Sequence, residues 1–247
     1  MKAYGLIGYP LTSSFSPAWF NQKFQSLKLN ASYELFPMVS VGELRSFIEA
    51  KPLLAGLNVT IPHKTAVLAQ LDDIDPIAAE VGAVNTIVIE RHNRLQLTGY
   101  NTDIIGFENS LLTLIGEARP KALVLGTGGA ALAVHFVLKK LGITWLSVST
   151  KPKAAQIGYP QLNENLLQTH PLIINTTPLG MEPTYAQLFP NLPYEHFHAG
   201  MYVYDLVYHP ATTPLLKQAM AVGAAFCNGL KMLQLQADAA WELWNRA

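Results

Sequence analysis

The segment KALVLGTGGAALAVHFVLKKLGI, residues 121–143, leaves few choices of fold. ALVL reads as a buried strand, GTGG as a tight turn, and the periodic apolar run after it as a helix. Gly142 stands at the C′ position, where a left-handed residue ends a helix. Strand, glycine turn and helix in that order open a dinucleotide-binding sheet. Gly126 makes the turn, Gly128 leaves room for a pyrophosphate, and Ala131 takes the third, helix-packing position. Unpaired N–H groups at the helix start favour an anion there, so Gly126, Gly128, Gly129 and Ala130 are candidate cofactor residues. A βα turn without a ligand is the plainer alternative; the strand before the glycines and the helix behind them favour the nucleotide.

The end of the next strand should show which nucleotide. An acidic residue about 20 positions beyond the glycines would hold the ribose hydroxyl of NAD. Here the chain has Ser149, Thr150, Lys151 and Lys153. Hydroxyls and lysines suit the additional phosphate of NADP, although a solvated basic turn has the same composition.

The rest of the chain continues the alternation. AYGLIGYP, YELFPMV and GLNVTI read as strands before the glycine turn; WLSVS, PLIINTTP and YVYDLVYHP read as strands after it. GAVNTIVIER and RLQLTGYN form a hairpin or successive strands. SPAWFNQKFQSL, with Phe20, Phe24 and Leu27, and VGELRSFIEA are amphipathic helices. A last helix, KMLQLQADAAWELWNRA, is expected to return to the N-terminal unit. The pattern is α/β with mostly parallel strands. At 247 residues and 50% hydrophobic content, the chain can bury a large core in one or two domains. Its 17 basic and 17 acidic residues form no stripe for nucleic acid. Cys227 is the single cysteine, no Cys/His cluster marks a metal site, and no apolar run has the length of a signal peptide core or a membrane span. A soluble cytoplasmic protein is expected.

Polar side chains interrupt the strands of the first half. Alternate residues of an extended segment face the same way, which pairs Ser14 with Ser16 and Asn58 with Thr60. Ser16, directly before Pro17 and a helix, also fits an N-cap, and Asn58 and Thr60 also fit mutual satisfaction. Asn85-Thr86 and Asn101-Thr102-Asp103 lie at further strand ends, with Asp103 placed to cap the following helix. Lys64 closes NVTIPHK. Hydroxyls, amides, one lysine and one aspartate gathered at strand ends describe a site for a polyhydroxylated ligand, because ligands bind beyond the carboxyl ends of strands in open α/β sheets.

Taken in order, SFSP, NVTIPHK, GAVNT, YNTD, GTGGA, NTTPLGM, DLVYHPATTP and Gln236 resemble the shikimate dehydrogenase family over essentially the whole chain. The resemblance implies a substrate domain (1–101 with 229–247), a Rossmann-type NADP domain (102–228), and reversible reduction of 3-dehydroshikimate to shikimate by NADPH. It implies Ser14 and Ser16 at the substrate carboxylate with Tyr208 closing that end. Asn58, Thr60, Asn85, Asp103 and Gln236 would hold ring hydroxyls, Lys64 and Asp103 would act at the reacting oxygen, and Thr176 and Gly229 would lie near the cofactor. Hydride addition leaves an alkoxide, and a lysine ammonium both stabilises that charge and delivers the proton. Two positions depart from the family pattern: Phe20 stands where a histidine is frequent, and Ser149-Thr150-Lys151 replaces an arginine-containing element.

Two rival readings accompany this one: a quinate/shikimate dehydrogenase that accepts NAD, and a non-catalytic nucleotide-binding regulator of the same fold. The oligomeric state is open between monomer and homodimer. Replacing both Lys151 and Lys153 with Ala should weaken NADP binding more than NAD binding; equal losses, measured by titration of the two nucleotides, would place the phosphate elsewhere.

Overall fold

The strand runs pair into two separate six-stranded sheets, one in each of two units of the chain. The computed structural model describes residues 1–11 and 14–246. Residues 1–103 and 236–247 form the first unit, and residues 104–235 the second.

The first unit contains β1 (Lys2–Gly8), α1 (Ser16–Ser26), β2 (Ala31–Pro37), α2 (Leu44–Glu49), β3 (Leu54–Val59), β4 (Asp73–Ile74), α3 (Pro76–Val81), β5 (Thr86–Arg91) and β6 (Leu95–Tyr100). The sheet order is β2-β1-β3-β5-β6-β4. β1 runs parallel to both of its neighbours, whereas β5 is antiparallel to β3 and β6, so GAVNTIVIER and RLQLTGYN are a hairpin. VGELRSFIEA is less regular than its periodicity predicts. Ser40 accepts the Gly42 N–H and starts a 3₁₀ turn, and the α-helix proper begins only at Leu44. Ser16 is not the cap of α1: it is the first helical residue, the cap position is Phe15, and the Ser16 N–H donates to Ser14 Oγ at 3.2 Å. A serine at the cap would have used its own oxygen.

In the second unit α4 (Asp103–Ile115) leads in. It is followed by β7 (Ala122–Leu125), α5 (Gly129–Lys140), β8 (Trp145–Ser149), β9 (Gln156–Gly158), α6 (Glu164–Thr169), β10 (Leu172–Asn175), β11 (Tyr202–Asp205), α7 (Pro214–Ala221), β12 (Ala225–Asn228) and the start of α8 (Leu230–Arg246), whose residues from Gln236 on belong to the first unit. All strands are parallel, in the order β12-β11-β10-β7-β8-β9. The chain therefore fills one side from β7 outward and then crosses to β10, the doubly wound order of dinucleotide-binding sheets. β7 and β10 are buried along their whole length, which is why both read as unbroken apolar runs.

The last helix ends at Arg246, with Ala247 outside the described residues. Its Ala237, Ala240 and Trp244 pack with Tyr4, Phe20, Phe24 and Tyr33 in the first unit. The Trp244 indole N–H donates to the Ile87 carbonyl at 3.0 Å, and its ring occupies the space that a Cβ on Gly56 would need, 2.2 Å from Nε1. Gly56→Ala should therefore cost about 1–3 kcal/mol by overpacking. Denaturant unfolding checks this; an unchanged midpoint would mean that Trp244 is free to move away.

Candidate active site

Three strand ends meet in the first unit because of the register of its sheet. Asn58 of β3 stands opposite Thr86 of β5, and Thr86 stands opposite Tyr100 of β6. The carboxyl ends of β3 and β6 thus flank the amino end of β5. The sequence motifs NVT, VNT and YNTD converge through this antiparallel pairing as well as by the rule for parallel sheets.

Beyond β3 the chain turns under firm control. The Thr60 N–H donates to the Ile7 carbonyl at 2.9 Å, the His63 N–H to the Thr60 carbonyl at 2.9 Å, and the Val84 N–H to the Lys64 carbonyl at 2.8 Å. The His63 ring is buried and donates through Nε2 to the Met38 carbonyl at 2.5 Å. Thr60 fits beside Gly8, its methyl lying 2.4 Å from where a Gly8 Cβ would stand. These contacts aim Lys64 at Asp103. Nζ lies 2.6 Å from Oδ2, with the two side chains only 15% and 7% exposed.

The other Asp103 oxygen accepts from Asn85 Nδ2 at 2.9 Å. Both oxygens are held by side chains, so the ion pair and Asn85, more than any capping of α4, set the carboxylate's orientation. Asn85 is held in turn: its Oδ1 accepts the Thr102 N–H at 2.7 Å, and the hydroxyls of Thr86 and Thr102 each lie 3.1 Å from it. Gln236 Oε1 accepts from Asn85 Nδ2 at 3.3 Å. Asn58 Nδ2 donates to the Asn85 carbonyl at 3.3 Å and to Thr86 Oγ1 at 3.1 Å. Asn101 serves the backbone, donating to the Ala83 carbonyl at 2.8 Å.

Lys64, Asp103, Asn58, Asn85 and Gln236 thus form one connected network. Ser14 and Ser16 stand together at the start of α1, their oxygens 3.4 Å apart. The motifs did not single out Tyr33, whose hydroxyl donates to Asn58 Oδ1 at 2.8 Å, or Asn21, whose amide pairs with both backbone groups of Tyr33 at 2.9 and 3.1 Å. Asn21 sits in SPAWFN beside the apolar stripe, and Tyr33 reads as an ordinary strand aromatic. Only the tendency of buried polar groups to be paired could have flagged them.

The nucleotide residues gather in the second unit. Gly126 has φ +100°, a conformation that favours glycine, and a Cβ there would stand 2.7 Å from Thr176 Oγ1. Its N–H donates to the Val148 carbonyl at 2.9 Å. Gly128 caps α5, Gly129 and Ala130 open it, and Ala131 is buried against the sheet. Among the described residues of this unit, no atom lies within 4 Å of where a Gly128 Cβ would be, which leaves the helix start open to a pyrophosphate. Thr176 donates through its N–H and its hydroxyl to the Leu125 carbonyl, at 2.9 and 2.7 Å. That bond joins the ends of β10 and β7, where the strand order reverses. Ser149 ends β8 beside β7 and accepts the Lys151 N–H at 3.1 Å; Thr150, Lys151 and Lys153 are exposed. This donor set fits NADP, with hydroxyls and ammonium groups where NAD would call for an acid.

Gly229 and Tyr208 lie apart from that turn. A Cβ on Gly229 would stand 2.0 Å from the Leu206 carbonyl oxygen, so its lack of a side chain has a packing cause. Tyr208 is half-buried in the segment after β11. Asp205 organises this region from a fully buried position. It accepts from Thr213, the N-cap of α7, at 2.6 Å, from Asn175 at 2.9 Å and from the Val207 N–H at 3.1 Å.

Residues 6–87 match the family described as the shikimate dehydrogenase substrate binding domain. The chain is 38% identical to the shikimate dehydrogenase (NADP(+)) of Geobacillus kaustophilus (strain HTA426), over 98% of this chain and 92% of the relative. It is similar to the crystal structure of shikimate dehydrogenase from Aquifex aeolicus, with a TM-score of 0.88 and 32% identity, covering 100% of this chain and 93% of that one. It is likewise similar to the shikimate 5-dehydrogenase of Thermus thermophilus in complex with NADP(H) and shikimate. There the TM-score is 0.85 and the identity 33%, covering 100% of this chain and 94% of that one.

Burial pushes the Asp205 carboxyl up from 3.8 to about 6, against the hydrogen bonds from Thr213, Val207 and Asn175 that pull it down. A carboxyl raised by folding contributes stability that is complete below its unfolded value and is lost as pH climbs through its folded value. This group should therefore cost on the order of 2–3 kcal/mol between pH 4 and pH 7. Asp205→Asn should flatten that part of the stability profile in denaturant titrations at several pH values; an unchanged slope would assign it to other groups.

Proposed function

The chain belongs to the shikimate dehydrogenase family, and we propose that it reduces 3-dehydroshikimate reversibly to shikimate with NADPH, Lys64 acting as the proton donor. The single observation that carries the residue assignment is the contact of 2.6 Å between Lys64 Nζ and Asp103 Oδ2 among amides and hydroxyls at three converging strand ends. When bound, NADPH supplies the hydride. Lys64 faces the charge that develops on the ketone oxygen, stabilises it and transfers a proton to it; in the reverse direction its neutral amine takes the hydroxyl proton. Asp103 fixes the ammonium in place, and Asn85 fixes Asp103.

The first unit would bind substrate. Ser14 and Ser16 meet the carboxylate; Asn58, Thr60, Asn85 and Gln236 meet ring hydroxyls. The second unit would bind NADP, with the pyrophosphate over Gly128, Gly129 and Ala130, the additional phosphate at Ser149, Thr150 and Lys151, and Thr176 and Gly229 nearer the nicotinamide. Among the described residues no helix is long and apolar enough to cross a membrane. A balanced charge and a single thiol support work in the cytoplasm without nucleic acid; the protein would act as a monomer or a homodimer.

Absorbance of the reduced nicotinamide tests the reading, with shikimate or quinate offered alongside NADP or NAD. Turnover with shikimate and NADP is expected. Preference for NAD would overturn the phosphate assignment, preference for quinate the substrate, and no turnover in any combination the enzyme reading itself. Lys64→Ala should lower kcat by about 10²–10⁴-fold with nucleotide binding nearly intact; normal turnover in that variant would remove Lys64 from the mechanism.

A further inference from the structure

Tyr33 is 2% exposed and held from three sides. Its ring stacks on Phe20, with centroids 4.5 Å apart and planes 5° from parallel. Its backbone is clamped by the Asn21 amide, and its hydroxyl meets Asn58 Oδ1 at 2.8 Å. The direction of that last bond is fixed by an acceptor elsewhere. Asn58 Nδ2 lies 3.3 Å from the Asn85 backbone carbonyl, which can only accept. The amide oxygen must then face Tyr33, and the phenol must donate. Burial pushes the phenol far above its ordinary range, so it keeps its proton at any working pH. The nearby Ser16 side chain opposes that upward push without outweighing it.

Both hydrogens of Asn58 Nδ2 are committed, one to the Asn85 carbonyl and one to Thr86 Oγ1. The remaining capacity of the side chain is the second lone pair of Oδ1. We propose that Tyr33 is a positioning residue: by donating to Asn58 it holds the amide oxygen ready to accept a hydrogen bond from one ring hydroxyl of the substrate. The inference rests on the functional reading above. It departs from the motif-derived residue set, because Tyr33 touches no substrate and acts through Asn58.

Tyr33→Phe removes the hydroxyl and keeps the ring stack. Its KM for shikimate should rise about tenfold, with kcat and the KM for NADP little changed. The penalty should vanish with one of two analogues, 4-deoxyshikimate or 5-deoxyshikimate, and should vanish again when Asn58 is already Ala. A merely structural tyrosine would depress shikimate and both analogues by the same factor, in either background, and that result overturns the proposal; so does an unchanged KM for shikimate. Phe20→Leu, which loosens the ring and leaves the hydroxyl, should lower Tm without separating the analogues. A measurement that needs no variant is the Tyr33 hydroxyl proton in the wild-type NMR spectrum. It should exchange slowly and show a contact to the Asn58 amide; fast exchange contradicts the bond. Wild-type protein inactive toward shikimate would instead sink the functional reading, whatever Tyr33 does.

Discussion

A carboxylate buried in a protein must be met by charge and hydrogen bonds, or it costs several kcal/mol. Asp103 is such a carboxylate, and the first unit is arranged around satisfying it. Lys64 takes one oxygen and Asn85 takes the other. Each of those residues is then fixed by its own neighbours: the turn after β3 for Lys64, and Thr86, Thr102 and Gln236 for Asn85. The ammonium is consequently held at one place before any substrate arrives. Preorganisation of this kind makes a charged donor effective in catalysis, since little reorganisation remains at the moment of reaction.

The second unit also buries a carboxylate. Asp205 is met by three hydrogen bonds from neutral donors, and burial outweighs them. Its work is to tie Asn175, at the end of β10, to the segment 206–213 and the start of α7. Thr176 follows Asn175 directly, so the threonine proposed at the cofactor inherits its placement from this buried acid as well as from the Leu125 carbonyl. One carboxylate is paired where the proposed chemistry needs it and the other serves architecture.

The doubly wound sheet was legible in the sequence because GTGG, between an apolar strand and an apolar helix, admits little else; the structure adds Gly126 at φ +100° and the reversal of strand order beside it. Lys64, Asp103, Asn58 and Asn85 were legible as polar residues at strand ends, and their mutual contact was not, since it depends on the antiparallel register of β3, β5 and β6. Tyr33 and Asn21 escaped because an aromatic in a strand and an amide in a helix carry no local signal; they matter only through partners 25 and 12 residues away. Ser16 misled in the other direction. Serine before proline is a good helix cap, yet here Ser14 takes the bond to the backbone and Ser16 is drawn into the helix.

The most direct test of the Lys64–Asp103 assignment is a crystal structure of this protein with shikimate bound. The reacting hydroxyl is expected within about 3 Å of Lys64 Nζ while the ion pair to Asp103 persists, with a second ring hydroxyl on Asn58 Oδ1. Shikimate bound with Lys64 turned to solvent, or seated away from the wall of β3, β5 and β6, would contradict it.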